Sequence, residues 1–413
     1  MIGEEFDVPL VTASWGPLGD TAVEDPSPEL VFEALESARA DYLERAADTA
    51  RARLSYTDAA RLFERAASHA ATASRRDALL LACGQAHLQA TNVERARQLA
   101  EQVTVTGTPE QVLKAAVVFE SASWQTNTHQ PRSVELLTAA LARTEGAGPD
   151  RDRIVATAAL ARAVSFTERP GRAAALRADA IRRARDIGEP ALLAVVLSIS
   201  LLDGGGEDGL TDRLRLADEL TGLVDDLGDV QYLGPAAFHR CLCHYVLGDP
   251  AAVDVAYLDL VRMTRATNEP YWTLAVSVMS FGLHVMRCEF AEAALALEQT
   301  ARLSTTADGG YEAAEGPWSL QSFILRRETG DLEAARHLIN GDEDPAHSWA
   351  PGLLALPEQR QLPPTVRADA LDGSLPYARL SIRRDRMRVR RCHSPARSRT
   401  SPTSPASFRV PSR

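Results

Sequence analysis

The sequence predicts an all-α fold built as an array of helical hairpins. Short turn signals recur at spacings of about forty residues, and a repeat of that length is typical of a stacked helical solenoid. In the first three copies, the equivalent positions Ala59, Ala96 and Ser133 lie 37 residues apart. The alternation of polar and apolar residues that predicts β-strands is nearly absent. Each hairpin is therefore expected to bury its apolar side against the next one.

The helices of the first half follow from caps and periodicity. Ser27 can cap a helix that has Pro28 in its first turn, and Pro109 lies at a helix start, where a missing N–H costs nothing. The elements predicted here are a helix beginning at Ser27-Pro28, a second helical stretch to Ala70, Leu79–Ala90, a turn at Thr91-Asn92, Val93–Val103, a helix from Pro109, a turn between Asn127 and Pro131, and Ser133–Arg143.

The second half continues in the same way and brings the total to about eight hairpins. The predicted helix pairs are Asp150–Phe166 with Ala173–Ile187, Pro190–Leu202 with Leu210–Leu227, Tyr232–Leu247 with Ala251–Thr267, Pro270–Arg287 with Ala291–Leu303, and Ala313–Thr329 with Leu332–Asn340. The turn signals and the inward positions that follow them are Pro170-Gly171 before Ala174 and Ala178, Gly248-Asp249 before Val253 and Tyr257, Cys288-Glu289 before Ala293 and Leu297, and Gly330-Asp331 before Ala335 and Ile339.

Composition shifts divide the chain into four segments. Proline and glycine among short apolar runs predict an irregular lead-in over residues 1–27, and the helical repeat domain is expected over 28–345. Residues 346–378 are predicted to be a linker, and 379–413 an Arg/Ser/Pro-rich, disordered tail. The last hairpin runs into prolines without a polar capping helix, which leaves self-association open.

The tail has the opposite charge to the rest of the chain. Residues 379–413 contain eleven arginines and one acid, Asp385. Because the whole chain carries −11 and this segment carries +10, the preceding 378 residues carry −21. Three interpretations stay open: a basic arm that binds nucleic acid, a disordered linker, or the out-of-frame translation of an arginine-rich gene.

Bulk composition indicates a folded protein of the cytoplasm. The chain has 413 residues, of which 45% are hydrophobic and 24% charged. The acidic N-terminus lacks the basic region of a secretory signal, and the longest apolar stretches, 190–202 and 270–286, are shorter than a membrane helix needs. No membrane association is expected. Five scattered cysteines predict reduced thiols, mostly in the core: Cys83, Cys241, Cys243, Cys288 and Cys392.

The near-absence of lysine excludes several chemistries. Of 45 basic residues 44 are arginine, and Lys114 is the only lysine. It follows Pro109 in a helix start, without the glycine-rich loop that a phosphate-binding P-loop requires. A nucleoside triphosphatase is therefore not expected, and Lys114 is interpreted as a solvated surface charge.

Two motifs suggest chemistry but have simpler interpretations. Residues 204–209 match the G-x-G-x-x-G pattern of dinucleotide sites, yet they follow a predicted helix and place Glu207 and Asp208 where pyrophosphate would lie. Four side chains near 240 are typical metal ligands, but one helix cannot direct all four at one ion: His239, Cys241, Cys243 and His244. We therefore predict no catalytic residue, cofactor or metal ion, and keep a zinc-dependent helical enzyme as a minor alternative.

Aromatic residues are the best candidates for a binding site. They fall mainly on the first helices of the later hairpins, which commonly line the concave surface of such arrays, where they could hold a peptide or small ligand. Packing between hairpins is the competing interpretation. The predicted groove residues are Trp124, Tyr245, Tyr271, Trp272, His284 and Trp318.

Several segments carry a family resemblance. Residues 56–66 and 86–96 resemble tetratricopeptide hairpins. Residues 79–84, 185–190 and 214–220 resemble the helical-repeat region of large ATP-binding transcriptional regulators of the LuxR type, and residues 2–7 resemble the segment that follows the ATPase module there. The similarity covers about residues 30–340. It implies a tetratricopeptide-like right-handed superhelix of about eight helical hairpins.

The resemblance also implies a role. Such regulators typically carry a P-loop ATPase ahead of the repeats and a helix-turn-helix domain behind them, and neither is visible in this sequence. A non-catalytic scaffold is therefore expected, a module or remnant of a transcriptional regulator, with a protein segment or small effector as its partner. The alternative is a DNA-associated protein that binds nucleic acid through its basic tail, since the acidic body disfavours direct binding.

Overall fold

The computed structural model describes residues 28–125, 131–144, 150–167, 170–201, 209–228, 232–267, 269–304 and 315–331. Within these ranges the chain forms fifteen helices and no strand. The helices are α1 Pro28–Ala52, α2 Tyr56–Ser68, α3 Ala73–Gln89, α4 Val93–Thr106, α5 Pro109–Gln125, α6 Pro131–Arg143, α7 Asp150–Thr167, α8 Pro170–Ile187, α9 Pro190–Leu201, α10 Leu210–Leu227, α11 Leu233–Leu247, α12 Pro250–Thr267, α13 Pro270–Met286, α14 Phe290–Ser304 and α15 Glu315–Thr329.

This succession confirms the predicted all-α array of helical hairpins. Odd-numbered helices are the first members of hairpins and even-numbered helices the second members, so α1–α14 form seven hairpins and α15 opens an eighth. Its predicted partner, 332–340, lies outside the described residues, as do the lead-in 1–27, the linker 346–378 and the tail 379–413. The chain divides into two compact units, residues 1–118 and 119–413.

One backbone turn recurs after the first helix of a hairpin. A left-handed residue follows the first helix, and the next residue donates its N–H to the carbonyl five positions earlier, as in the Schellman motif. The left-handed residues are Leu54, Thr91, Gly248, Cys288 and Gly330, and the hydrogen bonds are Ser55 to Ala50, Asn92 to His87, Asp249 to His244, Glu289 to His284 and Asp331 to Arg326. The predicted turn signals Thr91-Asn92, Gly248-Asp249, Cys288-Glu289 and Gly330-Asp331 thus share one geometry.

The register of the repeats follows from this turn. Five residues after a left-handed residue, the side chain is fully buried, as at Ala59, Ala96, Val253 and Ala293. The first predicted inward position in each of these copies is therefore confirmed, whereas the second positions Tyr257 and Leu297 are half-buried. In α8 the prediction was wrong, because Ala174 and Ala178 are exposed. Pro170 is the first residue of that helix, so Pro170-Gly171 begins α8 instead of forming a turn before it.

The largest difference between a predicted and an observed helix bound is at the start of the third helix. The third helix begins at Ala73 instead of Leu79, because Thr72 caps it by accepting a hydrogen bond from the backbone N–H of Arg75 (3.1 Å). At the start of α5, Thr108 and Gln111 form a reciprocal capping box: Gln111 Oε1 accepts from the Thr108 N–H, and Thr108 Oγ1 from the Gln111 N–H.

Each unit has cores of its own. In the first unit, small alanines and a few large side chains of α1–α4 pack together, among them Phe63, Leu79 and Leu99. In the second unit one core joins α7–α11, and another joins α11–α13 around Trp272. The predicted buried helices 190–202 and 270–286 contribute to these two cores. No described helix has the combined length and hydrophobicity that crossing a bilayer would need.

Gly234 is required by the core around Trp272. The indole ring of Trp272 lies directly on the α11 backbone, and a Cβ added at Gly234 would come within 2.6 Å of its Cζ2 atom. Real side-chain contacts of this length do not occur, so a larger residue must displace the indole ring. The glycine therefore lets α11 and α13 approach each other closely.

We expect Gly234→Ala to lower the free energy of unfolding by about 1–3 kcal/mol, the usual cost of overpacking a core. Gly222→Ala in α10 is the matched control, since no atom lies within 4 Å of its added Cβ. That change should stabilise by up to about 1 kcal/mol through helix propensity alone. Urea denaturation followed by circular dichroism measures both, and equal effects of the two variants would contradict the packing argument.

Candidate functional site

Three of the six predicted groove residues lie together in the second unit. Trp124 at the end of α5 and Tyr271 at the start of α13 have ring centroids 5.2 Å apart. Tyr271 meets Trp272 edge-on at 4.9 Å, and Phe238 of α11 lies 6.3 Å from Trp272. We call Trp124, Phe238, Tyr271 and Trp272 the aromatic cluster. Ring pairs at these distances contribute about 0.5–1.5 kcal/mol each beyond the burial of their area.

A buried ion pair borders the aromatic cluster. The Arg162 side chain of α7 and the Glu120 side chain of α5 are only 4% and 3% exposed. Arg162 Nε donates to Glu120 Oε1 at 2.9 Å, and Arg162 Nη2 donates to the Ser121 hydroxyl at 3.0 Å. Two charges out of water are stable only with such complete hydrogen bonding, and removing one partner typically costs 3–5 kcal/mol. The pair therefore fixes the last turns of α5 against α7.

The ion pair also positions Trp124. The Arg162 guanidinium carbon lies 5.1 Å from the centroid of the Trp124 ring, within the range of a cation–π contact. Trp124 consequently has Arg162 and Tyr271 as neighbours, and it packs against the core of α11–α13. Burial raises the pKa of the Tyr271 hydroxyl, and the charge of Arg162 partly opposes that increase. Tyr271 is therefore a neutral hydrogen-bonding group and not a base.

Of the other three predicted residues, Tyr245 packs against the same core as Trp272. The Tyr245 ring of α11 covers Gly282 of α13, with its hydroxyl 3.5 Å from where a Cβ would lie. The Nδ1 atom of His284 is 2.8 Å from the carboxylate of Glu289, in the turn that joins α13 to α14. Trp318 of α15 is 36% exposed, the most accessible of the six.

The six residues thus differ in what they can offer a ligand. Trp272 is 5% exposed and belongs to the core, which corresponds to the packing interpretation. Trp124, Tyr245 and Tyr271 are half-buried. Sequence analysis missed Glu120, Arg162 and Phe238. A charged residue within an apolar run was the available signal for Glu120 in 117–122 and for Arg162 in 158–164.

The side chains near residue 240 are buried as individual residues. His239 is 4% exposed, and neither of its ring nitrogens has a hydrogen-bond partner in the described part of the chain. Burial, with a smaller effect of Arg213, lowers the pKa of His239 to about 3. The described residues contain no group of three His, Cys, Asp or Glu side chains able to share one metal ion.

The buried cysteines have little nucleophilic character. Cys83, Cys241 and Cys243 are buried free thiols, whereas Cys288 is exposed. Burial raises the pKa of both Cys83 and Cys241 to about 12, so these thiols are protonated at neutral pH. Cys392 and most of the G-x-G-x-x-G motif, residues 204–208, lie outside the described residues.

Comparisons with known proteins do not assign a function to this chain. No protein-family model matches the chain, and no curated protein matches it in sequence. Among solved structures, the crystal structure of the yeast Tom70 is similar at 10% sequence identity and a TM-score of 0.27, covering 86% of this chain and 97% of that chain. A similarity at this level carries no argument about fold or function.

Glu269, which precedes α13 and bonds to Trp272, makes the stability of the folded chain sensitive to pH. Burial raises the pKa of Glu269 from its ordinary 4.5 to about 7, although a hydrogen bond with Trp272 partly opposes the increase. The unfolded chain releases this proton near pH 4.5 and the folded chain near pH 7. Between these values the folded state binds more protons, so its stability falls as pH rises through this window.

We expect the Glu269→Gln variant to keep its stability as pH rises, because the glutamine side chain stays neutral. At pH 8 the variant should exceed the wild type in free energy of unfolding by roughly 2–3 kcal/mol, and near pH 4 the two should be equal. Urea titrations at pH 4, 6 and 8 measure the difference. Asp226→Asn, a carboxylate exposed on α10, serves as the control and should show no comparable dependence on pH. A difference that stays constant across the range would contradict burial of a protonated Glu269.

Proposed function

We propose that this chain is a cytoplasmic, non-catalytic helical scaffold that binds a protein segment or a small effector through the first helices of its later hairpins. The observation that carries the proposal is the series of partly accessible aromatic rings on α5, α11, α13 and α15, namely Trp124, Tyr245, Tyr271 and Trp318. Aromatic side chains supply much of the binding energy at interfaces because they bury large areas with few rotatable bonds.

The state of the reactive side chains supports a binding role over a catalytic one. The buried thiols Cys83 and Cys241 are held protonated, and His239 is neutral and without a hydrogen-bond partner in the described part of the chain. His284 is paired with Glu289 at a helix end. A general base needs a pKa near the working pH and a reacting partner within hydrogen-bond reach. The buried pair of Arg162 and Glu120 serves structure instead.

A finer part of the proposal places the scaffold in transcriptional control. Its support is the resemblance of residues 79–84, 185–190 and 214–220 to the repeat region of LuxR-type regulators. In that role the chain would hold an effector or a regulatory protein and would contact nucleic acid only indirectly.

Substitution of the accessible rings tests the binding role. Proteins retained by the immobilised full chain are identified, and their affinity is measured for wild type, Trp318→Ala and Tyr245→Ala. We expect each variant to weaken binding about tenfold or more, because loss of a ring at an interface typically costs over 1 kcal/mol. Leu295→Ser is the matched control, since this leucine is 62% exposed on α14, a second helix. Loss of binding in Leu295→Ser alone would contradict the use of the first helices.

Transcript profiles test the regulatory role. A strain that lacks the gene should show changed levels of a limited set of transcripts, which the wild-type chain restores and the Trp318→Ala chain does not. Restoration by both chains would separate the regulatory role from the aromatic surface, and an unchanged profile would contradict the regulatory role. RNA sequencing of the three strains gives the answer.

A further inference from the structure

Two arginines occupy inward positions in consecutive second helices. Arg177 of α8 and Arg213 of α10 each precede buried residues of their own helix by three and seven positions, and both arginines are half-buried. The buried residues that follow them are Ala180 and Ala184 in α8, and Leu216 and Leu220 in α10. Ala96, Val253 and Ala293 have the same spacing in α4, α12 and α14, and all three are buried. Charged side chains therefore stand where these other helices have an alanine or a valine.

Arg213 and His239 lie on the facing sides of neighbouring helices. Arg213 precedes Leu216 by three residues, so it shares the side of α10 that joins the core of α7–α11. On α11, Ala236 belongs to the same core, and the buried residues His239 and Cys243 follow it by three and seven positions. This spacing places both side chains on the side of α11 that packs towards α10.

The charge of Arg213 acts on groups of both α8 and α11. Burial lowers the pKa of Arg177 and of Arg213, and the charge of Arg213 lowers the pKa of Arg177 further, although Asp212 opposes this effect. After burial, Arg213 is also the next influence on the pKa of His239 and of Cys243. Two like charges thus lie close together beside a neutral imidazole. An anion between the two guanidinium groups would offset their repulsion.

His239 adds an unsatisfied hydrogen-bonding group to this region. Its side chain is buried, and neither ring nitrogen has a partner within the described ranges. A buried polar group without a partner is costly, and where one occurs in a folded protein it is explained by a bound ion or water or by a functional role. The neutral imidazole carries a proton on one nitrogen. It can therefore donate a hydrogen bond to an anion held by Arg213.

We propose that Arg177, Arg213 and His239 form a binding site for a phosphate group, carried by a small metabolite or free in solution. The two guanidinium groups offer forked donors that match phosphate oxygens, and the imidazole N–H is a third donor. Phosphate carries nearly two negative charges at neutral pH and balances both arginines, whereas a carboxylate carries one. The site uses none of the aromatic rings of the proposed function, so it goes beyond that function and does not depend on it.

Thermal unfolding of the full chain with inorganic phosphate as the probe tests the site. At equal ionic strength, about 10 mM phosphate should raise the melting temperature by about 2 °C or more relative to chloride, as expected for a Kd of about 1 mM or below. Phenyl phosphate and acetate are compared in the same way. Stronger stabilisation by phenyl phosphate supports a site for a phosphate monoester, and stronger stabilisation by inorganic phosphate supports a site for free phosphate. Equal stabilisation by acetate would overturn the assignment to phosphate.

Isothermal titration calorimetry of single variants locates the phosphate. We expect Arg177→Gln and Arg213→Gln to weaken binding about tenfold or more, and His239→Leu about 2- to 10-fold, because hydrogen bonds from charged donors are the stronger ones. Arg215→Gln is the matched control, since it removes the same charge from an exposed position of α10 two residues after Arg213. It should change the affinity less than about twofold.

Two results would overturn the site: no stabilisation of the wild type by phosphate beyond that by chloride, or equal losses of affinity in Arg213→Gln and Arg215→Gln. Should Arg213→Gln fail to fold, Arg213→Lys replaces it, because lysine keeps the charge without the fork and should still weaken binding severalfold. Unchanged affinity in Arg213→Lys, Arg177→Gln and His239→Leu would then overturn the site. Partner binding by Trp318→Ala is measured separately, so the phosphate site and the aromatic surface can each fail alone.

Discussion

The recurring left-handed turn is the constraint on which the described connections within four hairpins depend, those of α1–α2, α3–α4, α11–α12 and α13–α14. The turn ends a helix, and the residue after the left-handed one donates its N–H to the carbonyl five positions before it. The next helix therefore begins in a fixed register. Glycine adopts this conformation without strain, as at Gly248, but Leu54, Thr91 and Cys288 adopt it at a steric cost. The turn persists at these positions because the buried residue five places later is locked in its core.

Burial of Glu120 and Arg162 adds a second constraint, which acts on the site and not on the array as a whole. Buried ion pairs contribute little net stability compared with apolar residues of the same volume, yet they tolerate few arrangements because each polar atom needs a partner. Ser121 and the Trp124 ring complete the surroundings of Arg162. The pair therefore specifies where the end of α5 lies, and this determines where Trp124 can meet α13.

Sequence patterns predicted local structure well because the determinants of a hairpin are local. Gly248-Asp249 and Cys288-Glu289 mark turns through the conformation of the first residue and the capping position of the second, and the apolar period shows which side of each helix is buried. The turn predicted at Pro170-Gly171 was wrong because the same dipeptide can either precede a helix or begin it. The start of α3 was missed since Thr72 acts as a cap without an apolar period behind it.

The candidate site was predictable only in part, for a different physical reason. Aromatic residues on first helices could be nominated one by one, but whether such a ring is buried, as Trp272 is, or accessible, as Trp318 is, depends on neighbours that periodicity does not specify. The meeting of Trp124 with Tyr271 depends on how the hairpins between them pack, which local sequence patterns do not specify. The partners Glu120 and Arg162 were each visible as charges within apolar runs, yet their pairing required knowledge of which helices are adjacent.

The geometry of the ion pairs also helps to explain why the chain uses arginine almost to the exclusion of lysine. A guanidinium offers a planar fork that meets both oxygens of a carboxylate, which an ammonium cannot do. Arg162 with Glu120 and Arg185 with Glu219 use both oxygens, whereas exposed pairs such as Arg61 with Asp58 join through a single contact. Single exposed contacts contribute at most about 1 kcal/mol and would accept lysine. Structure therefore requires arginine where the fork is used, above all at the buried pair beside Trp124, and tolerates it at the exposed single contacts.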